Sequence, residues 1–210
     1  MKLFSSLFGK KDAGDSGKER KPVVIVSGLP RSGTSMMMKM LEAGGASLVI
    51  DGIRTADEDN PKGYYEFERV KQLDKGDVAW VAGARGKAVK VISALLEHLP
   101  PEYEYQVLFM NRKMPEVLAS QRKMLERRGE KSEISDEKLA ELLARHVQQV
   151  KTWLARQPNF EMLDLDYNAM LVDPEPWAAK VNVFLGGSLD VRAMVQVVDP
   201  NLYRNRTEGK

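Results

Sequence analysis

Val23-Val24-Ile25-Val26-Ser27-Gly28-Leu29-Pro30-Arg31-Ser32-Gly33-Thr34-Ser35-Met36 is the stretch that decides the fold. Val23 to Val26 is a continuous apolar run and predicts a short buried strand. Met36 to Leu41 predicts the start of a helix. A strand, a glycine-bounded turn and a helix N-terminus together make an anion cradle: successive backbone N–H groups face into the turn, and the helix dipole adds partial positive charge there. The glycine spacing is that of a phosphate-binding loop, with one decisive change. Thr34 stands where nucleotide kinases and hydrolases carry Lys, and the loop's cation is Arg31. The expected ligand bears phosphate, but the Lys–Mg²⁺ arrangement of ATP chemistry is incomplete.

Two further blocks follow in order. Val107-Leu108-Phe109-Met110-Asn111 leads into Arg112, with Ser120 eight positions later on the next helix. Leu163-Asp164-Leu165-Asp166-Tyr167 precedes Asp173-Pro174-Glu175 and then Phe184-Leu185-Gly186. With Pro30-Arg31-Ser32-Gly33-Thr34-Ser35, this ordered set resembles the sulfotransferase family across residues 22–190. The loop is most similar to the Pro-Arg-Ser-Gly-Thr variety of bacterial and tyrosylprotein sulfotransferases. The resemblance implies 3′-phosphoadenosine 5′-phosphosulfate (PAPS) as donor, with no metal required. It implies that Arg31, Ser32, Gly33, Thr34 and Ser35 hold the 5′-phosphosulfate, and that Arg112 and Ser120 hold the 3′-phosphate. In cytosolic members a Lys-Thr-His triplet at a strand end supplies the base. Here the triplet is Lys90-Val91-Ile92. Lys90 carries over as a contact to the bridging region of the donor; the His does not.

A base must come from elsewhere. Asn60-Pro61-Lys62-Gly63-Tyr64-Tyr65-Glu66-Phe67-Glu68 resembles a stretch of bacterial sulfotransferases, and its turn residues place it on a loop or helix start over the pocket. Some relatives use Glu, so Glu66 is the first choice, with Asp51, Asp57 and Glu68 as alternatives. A partly buried carboxylate can accept a hydroxyl proton near neutral pH. At the C-terminus, Arg204 and Arg206 fit either a late basic loop closing on the 3′-phosphate or a solvated tail.

Composition bounds the alternatives. At 210 residues the chain supports one domain with a real core. A net charge of +2 argues against a dedicated nucleic-acid binder. Zero Cys excludes disulfides, thiolate zinc sites and a cysteine nucleophile, and fits a reducing cytoplasm. Two histidines, His98 and His146, make a histidine metal cluster a poor expectation, and both are expected to be structural. No apolar run approaches the ~20 residues that span a bilayer. Met1 to Lys11 carries Leu3, Phe4, Leu7 and Phe8 on one helical face with flanking Lys, so it fits a frayed tail or a weak contact with a membrane surface. Asp12 to Lys21 is polar and charged, a disordered linker by composition. Residues 1–21 are thus expected to form a tail and residues 22–210 the domain.

Strands are predicted at Val23–Ser27, Ser47–Ile50, Ala88–Ile92, Gln106–Asn111 and Phe160–Leu165. Most are continuous apolar runs, the mark of strands buried on both faces. Helices between them require right-handed crossovers, so the expected fold is α/β, a three-layer sandwich around a parallel sheet of about five strands, like that of phosphate-loop nucleoside triphosphatases. Pro115 fits the first turn of a helix ending near Arg128. Ser135 fits the cap of a long helix with apolar positions from Leu139 to Leu154. Asp173-Pro174 starts another, ended by Gly186 or Gly187. Gly129–Glu133 is expected to be a mobile loop near the substrate. The expected reaction moves a sulfuryl group to a hydroxyl or amine of a small-molecule, glycan or peptide acceptor. A phosphotransferase or triphosphatase, and a nucleotide-binding protein without catalysis, are the alternatives.

Overall fold

The computed structural model describes residues 21–53, 64–127, 129–130 and 134–199. Four strands, β1 (Val23–Gly28), β2 (Ala88–Lys90), β3 (Tyr105–Asn111) and β4 (Phe160–Asp166), form one sheet in the order β2-β1-β3-β4. All three pairings are parallel. The C-terminal ends of the strands therefore share one edge of the sheet, with β1 in the middle.

The expected strand at Ser47–Ile50 is reduced to a single parallel bridge, Leu48 to Ala88. Ala88 donates to the Ser47 carbonyl and accepts from the Val49 N–H, both across 2.8 Å. Pairing stops there because the Asp51 N–H turns to the Glu66 carbonyl instead. The strand expected over Ala88–Ile92 ends at Lys90.

Six α-helices complete the described residues: α1 (Thr34–Ala43), α2 (Met114–Arg127), α3 (Asp136–Leu154), α4 (Tyr167–Val172), α5 (Pro174–Phe184) and α6 (Val191–Gln196). Side chains alternate across each strand, so the sheet splits the core in two. Val23, Ile25, Val89, Tyr105, Val107 and Phe109 face Leu154 and the inner stripe of α3, together with 3₁₀ segments at Glu68–Lys75 and Ser93–His98. Val26, Ala88, Leu108, Met110 and Leu165 face Met37, Met38, Met40 and Leu41 of α1 and residues of α4, α5 and α6. Both faces are covered around β1 and β3, which is why those two strands show no polar alternation; the edge strand β4 keeps Glu161 and Asp164 exposed. The methionines of α1 are core: Met37, Met38 and Met40 have no exposed surface.

The helix signals are realised locally. The Ser135 hydroxyl accepts the Lys138 N–H, and α3 begins at Asp136. Pro115 lies in the first turn of α2, and Pro174 opens α5. After α5, Gly186 and Gly187 adopt φ of 96° and 80°, and their N–H groups close on Val183 and Asn182. Such left-handed residues end helices by satisfying the last carbonyls. His146 of α3 pairs its Nε2 with the buried Ser93 hydroxyl at 2.9 Å, a structural contact between layers. His98 is exposed. Among the described residues no helix is long and apolar enough to cross a membrane.

Candidate functional site

The turn after β1 carries three residues with positive φ: Gly28 at 143°, Arg31 at 72° and Gly33 at 101°. The Ser32 N–H donates to the Leu29 carbonyl across 3.1 Å, and the Met37 N–H makes the first helical bond to the Gly33 carbonyl at 3.2 Å. N–H groups in the first turn of a helix have no partner within it, and the α1 dipole leaves positive potential beside them. No acidic side chain occupies that turn to cancel it. The Ser32 hydroxyl is buried with no hydrogen-bond partner among the described residues. A buried donor of this kind suits a phosphate oxygen.

Both glycines are fixed by contact as well as by φ. A Cβ on Gly28 would lie 2.5 Å from the Met110 carbonyl oxygen, so the loop can press against β3 only with glycine there. A Cβ on Gly33 would lie 2.2 Å from a ring carbon of Tyr167. The glycine expected to open the loop to ligand is thus also the one that admits the Tyr167 ring beneath it.

Because β1 is flanked by β2 and β3, the predicted residues fall into two groups on either side of this loop. On the β3 side, Arg31 Nε donates to Ser120 Oγ across 2.8 Å. Arg112 Nη1 donates to the Arg31 carbonyl across 3.1 Å, and its Nε to Glu116 Oε2 across 3.0 Å. The Arg112 guanidinium stands 4.7 Å from the centre of the Tyr167 ring. Burial pushes the Tyr167 phenol above its ordinary value; Glu116 adds to the rise, while Arg112 and Arg31 oppose it. Arg31, Arg112 and Ser120 are therefore one connected group. A cleft of about 230 Å³ opens against it, lined by Leu29, Ser32, Arg112, Val117, Ala144 and Val147 among others.

On the β2 side, Lys90 Nζ lies 3.4 Å from Ser35 Oγ and 3.6 Å from Glu66 Oε1, and donates to the Tyr64 carbonyl. Ser35 Oγ donates to the same carbonyl across 3.4 Å. Only 9% of the Lys90 side chain and 18% of the Glu66 side chain are exposed, so this is a sheltered pair. Lys71 adds a second cation 3.5 Å from Glu66 Oε2. Asp51, an alternative base, is occupied elsewhere. Its two oxygens accept the Ile53 N–H at 3.0 Å and the Glu68 N–H at 2.6 Å, pinning the segment that carries Glu66. Glu68 is half-buried and pairs with Lys71 at 2.7 Å. Tyr65, at φ 51°, is tied to α1 by its phenol, which donates to Glu42 across 2.7 Å.

Thr34 is the first residue of α1. Lys113 and Arg127 are exposed, as expected for solvated positions. Asp57, Arg204, Arg206, the tail at residues 1–20, Asn60 to Gly63 and part of the Gly129–Glu133 segment lie outside the described residues. The sequence reading missed Glu116, Asn168 and the Tyr64 carbonyl. Glu116 alone had a signal, its spacing of four from Arg112 at the start of a helix.

A family model for the sulfotransferase domain matches residues 21–206. No curated protein matches the chain by sequence. Among solved structures, the sulfotransferase domain of the olefin synthase from Synechococcus PCC 7002 aligns at a TM-score of 0.52 and 16% identity, covering 94% of this chain and 88% of that one. A sulfotransferase from Mycobacterium tuberculosis aligns at 0.53 and 16%, covering 85% of this chain and 71% of that one. Mouse sulfotransferase SULT7A1, complexed with PAP, aligns at 0.51 and 17%, covering 86% of this chain and 63% of that one. At these identities the structures show a shared fold. The family match spans nearly the whole chain, loop and both flanking groups included, and the protein belongs to the sulfotransferase family.

Proposed function

We propose that this enzyme moves a sulfuryl group from PAPS to a hydroxyl or amine of an acceptor. The observation that carries the reading is the division of the site: one phosphate-type loop lies between an Arg31–Arg112–Ser120 group and a Lys90–Glu66–Ser35 group. A donor with phosphate at both ends of its ribose suits the first group; an in-line transfer suits the second. PAP, named with the mouse structure, is the product such a donor leaves.

The residues divide the work. The loop N–H groups and the Ser32 hydroxyl bind the 5′-phosphosulfate, with Thr34 and Ser35 at the helix entrance. Arg31 balances the charge that spreads over the sulfuryl oxygens and the departing phosphate. Its forked donors suit that charge, and its guanidinium keeps its proton. Arg112 and Ser120 recognise the 3′-phosphate. Glu66 accepts the acceptor's proton as the acceptor atom bonds to sulfur. The bond from sulfur to the bridging oxygen breaks, and Lys90 stands beside that oxygen as negative charge gathers on it. Arg204, in the late basic segment, is proposed as a further contact to the donor. No step calls on a metal.

The acceptor approaches over the β2 edge. Ile50 and Ile92 are each 42% exposed and Ile53 is 68% exposed. Ile92 lies two residues past the end of β2, directly before the Ser93–His98 segment. Turnover of PAPS with an acceptor panel, in wild type and Arg31→Ala, tests the reading. The variant loses about 10²–10³ of the donor-dependent rate, the scale of one lost charge-stabilising group. Unchanged turnover contradicts it.

A further inference from the structure

Glu116 is wholly buried, with 0% of its surface exposed, and the reading above gives it no task. A buried carboxylate is costly unless every oxygen is satisfied. Here both are. Arg112 Nε donates to Oε2, and Asn168 Nδ2 lies 3.0 Å from each of Oε1 and Oε2. Asn168 cannot turn over, because its Oδ1 accepts the Lys113 backbone N–H across 3.1 Å. The carboxylate thus joins the first turn of α2 to the start of α4, 52 residues further along the chain.

The consequence reaches the loop. With Nε fixed by Glu116, the Arg112 guanidinium presents Nη1 to the Arg31 carbonyl. Arg31 is a non-glycine residue at φ 72°, a strained conformation that persists only where its surroundings impose it. The guanidinium also lies over the Tyr167 ring, which fills the space under Gly33. We infer that Glu116 and Asn168 are positioning residues: together they aim Arg112 so that it holds the strained Arg31 backbone and the 3′-phosphate end of the donor site in register. The second half of this statement rests on the donor assignment above; the first does not.

The geometry suggests a reciprocal exchange as the test. Glu116→Gln leaves an amide facing the Asn168 amide, with donor against donor. Glu116→Gln with Asn168→Asp restores one carboxylate to the pair. The introduced glutamine side chain can then accept from Arg112 and donate to the introduced aspartate, whose second oxygen accepts the Lys113 N–H. Three quantities are read on the full chain: affinity for 3′-phosphoadenosine 5′-phosphate relative to adenosine 5′-phosphate, amide hydrogen exchange at Arg31 to Gly33, and thermal midpoint. In the single variant the bisphosphate preference falls about tenfold to a hundredfold, the value of hydrogen bonds to a charged group. Loop exchange quickens with it, and both return toward wild type in the double variant. A general loss of packing would instead weaken both nucleotides equally and would lower the midpoint without changing the preference.

Wild-type preference and wild-type loop exchange in Glu116→Gln overturn the proposal, as does a folded double variant that recovers neither. If the single variant fails to fold, the double variant alone decides, by having or lacking the wild-type loop exchange. If wild type itself shows no bisphosphate preference, the donor assignment fails, and loop exchange alone still decides whether Glu116 braces Arg31.

Discussion

Arg31 Nε donates to Ser120 Oγ across 2.8 Å, which ties the cation of the loop to the first turns of α2. The hydroxyl is buried at 3% exposure, so this bond is sheltered from water. Removing it in Ser120→Ala leaves the guanidinium without one partner and costs about 1–3 kcal/mol. The expected result is a loss of affinity for the 3′,5′-bisphosphate of about tenfold or more, largely recovered in Ser120→Thr. Equal affinity in wild type and Ser120→Ala would remove Ser120 from the donor site.

Gly33→Ala forces a methyl group against the Tyr167 ring, at 2.2 Å before relaxation, on a backbone at φ 101°. Overpacking and left-handed strain together amount to about 3 kcal/mol. Thermal unfolding should show a midpoint lower by several degrees, and donor binding should be lost. A stable variant with full affinity would show that the ring moves freely.

Glu66 and Lys90 form an ion pair at 3.6 Å on the β2 side of the loop. Glu66→Gln should lower kcat by about 10²–10³ if it takes the acceptor's proton, with donor affinity within about threefold of wild type. Lys90→Met should lower kcat too, and the double variant should lose less than the product of the two, because the groups act as a pair. A strictly multiplicative loss would separate their roles.

Three phenols are held in the neutral form. Burial raises Tyr65, with Glu42 adding to it through its hydrogen bond and its charge; burial likewise raises Tyr105 and Tyr167. An acid whose folded pKa lies above its unfolded value stabilises the fold fully below the unfolded value, here 10.0, and loses that contribution as pH climbs from there toward the folded one. Titration of phenolate absorbance should be biphasic, with the late phase coinciding with unfolding. A single phase near pH 10 with the fold intact would contradict these burials.

β1 and β3 were legible in the sequence because they are covered on both faces. Val23–Val26 and Val107–Met110 show continuous apolar runs for that reason. Ser47–Ile50 has the same character but forms one bridge, since Asp51 is drawn off to Glu66 and Glu68. The loop was legible from its glycine spacing, whereas Arg112 and Ser120 came only through the resemblance to sulfotransferases; the structure joins both to Arg31. Glu116 was not. A glutamate on a helix looks solvated until Asn168 arrives from the far end of the chain to bury it. Nor did the sequence reading foresee that Gly33 serves Tyr167, a contact made between residues far apart in sequence.

On the proposed function, the loop and its two flanking groups bind a 3′-phosphorylated adenosine donor. Calorimetric titration of the wild-type protein with 3′-phosphoadenosine 5′-phosphate, beside adenosine 5′-phosphate and ATP-Mg²⁺, tests it most directly. Selective binding of the 3′,5′-bisphosphate that is unchanged by EDTA is the predicted result. No binding of it, with tight binding of ATP-Mg²⁺, would contradict the account and assign the loop to phosphoryl chemistry.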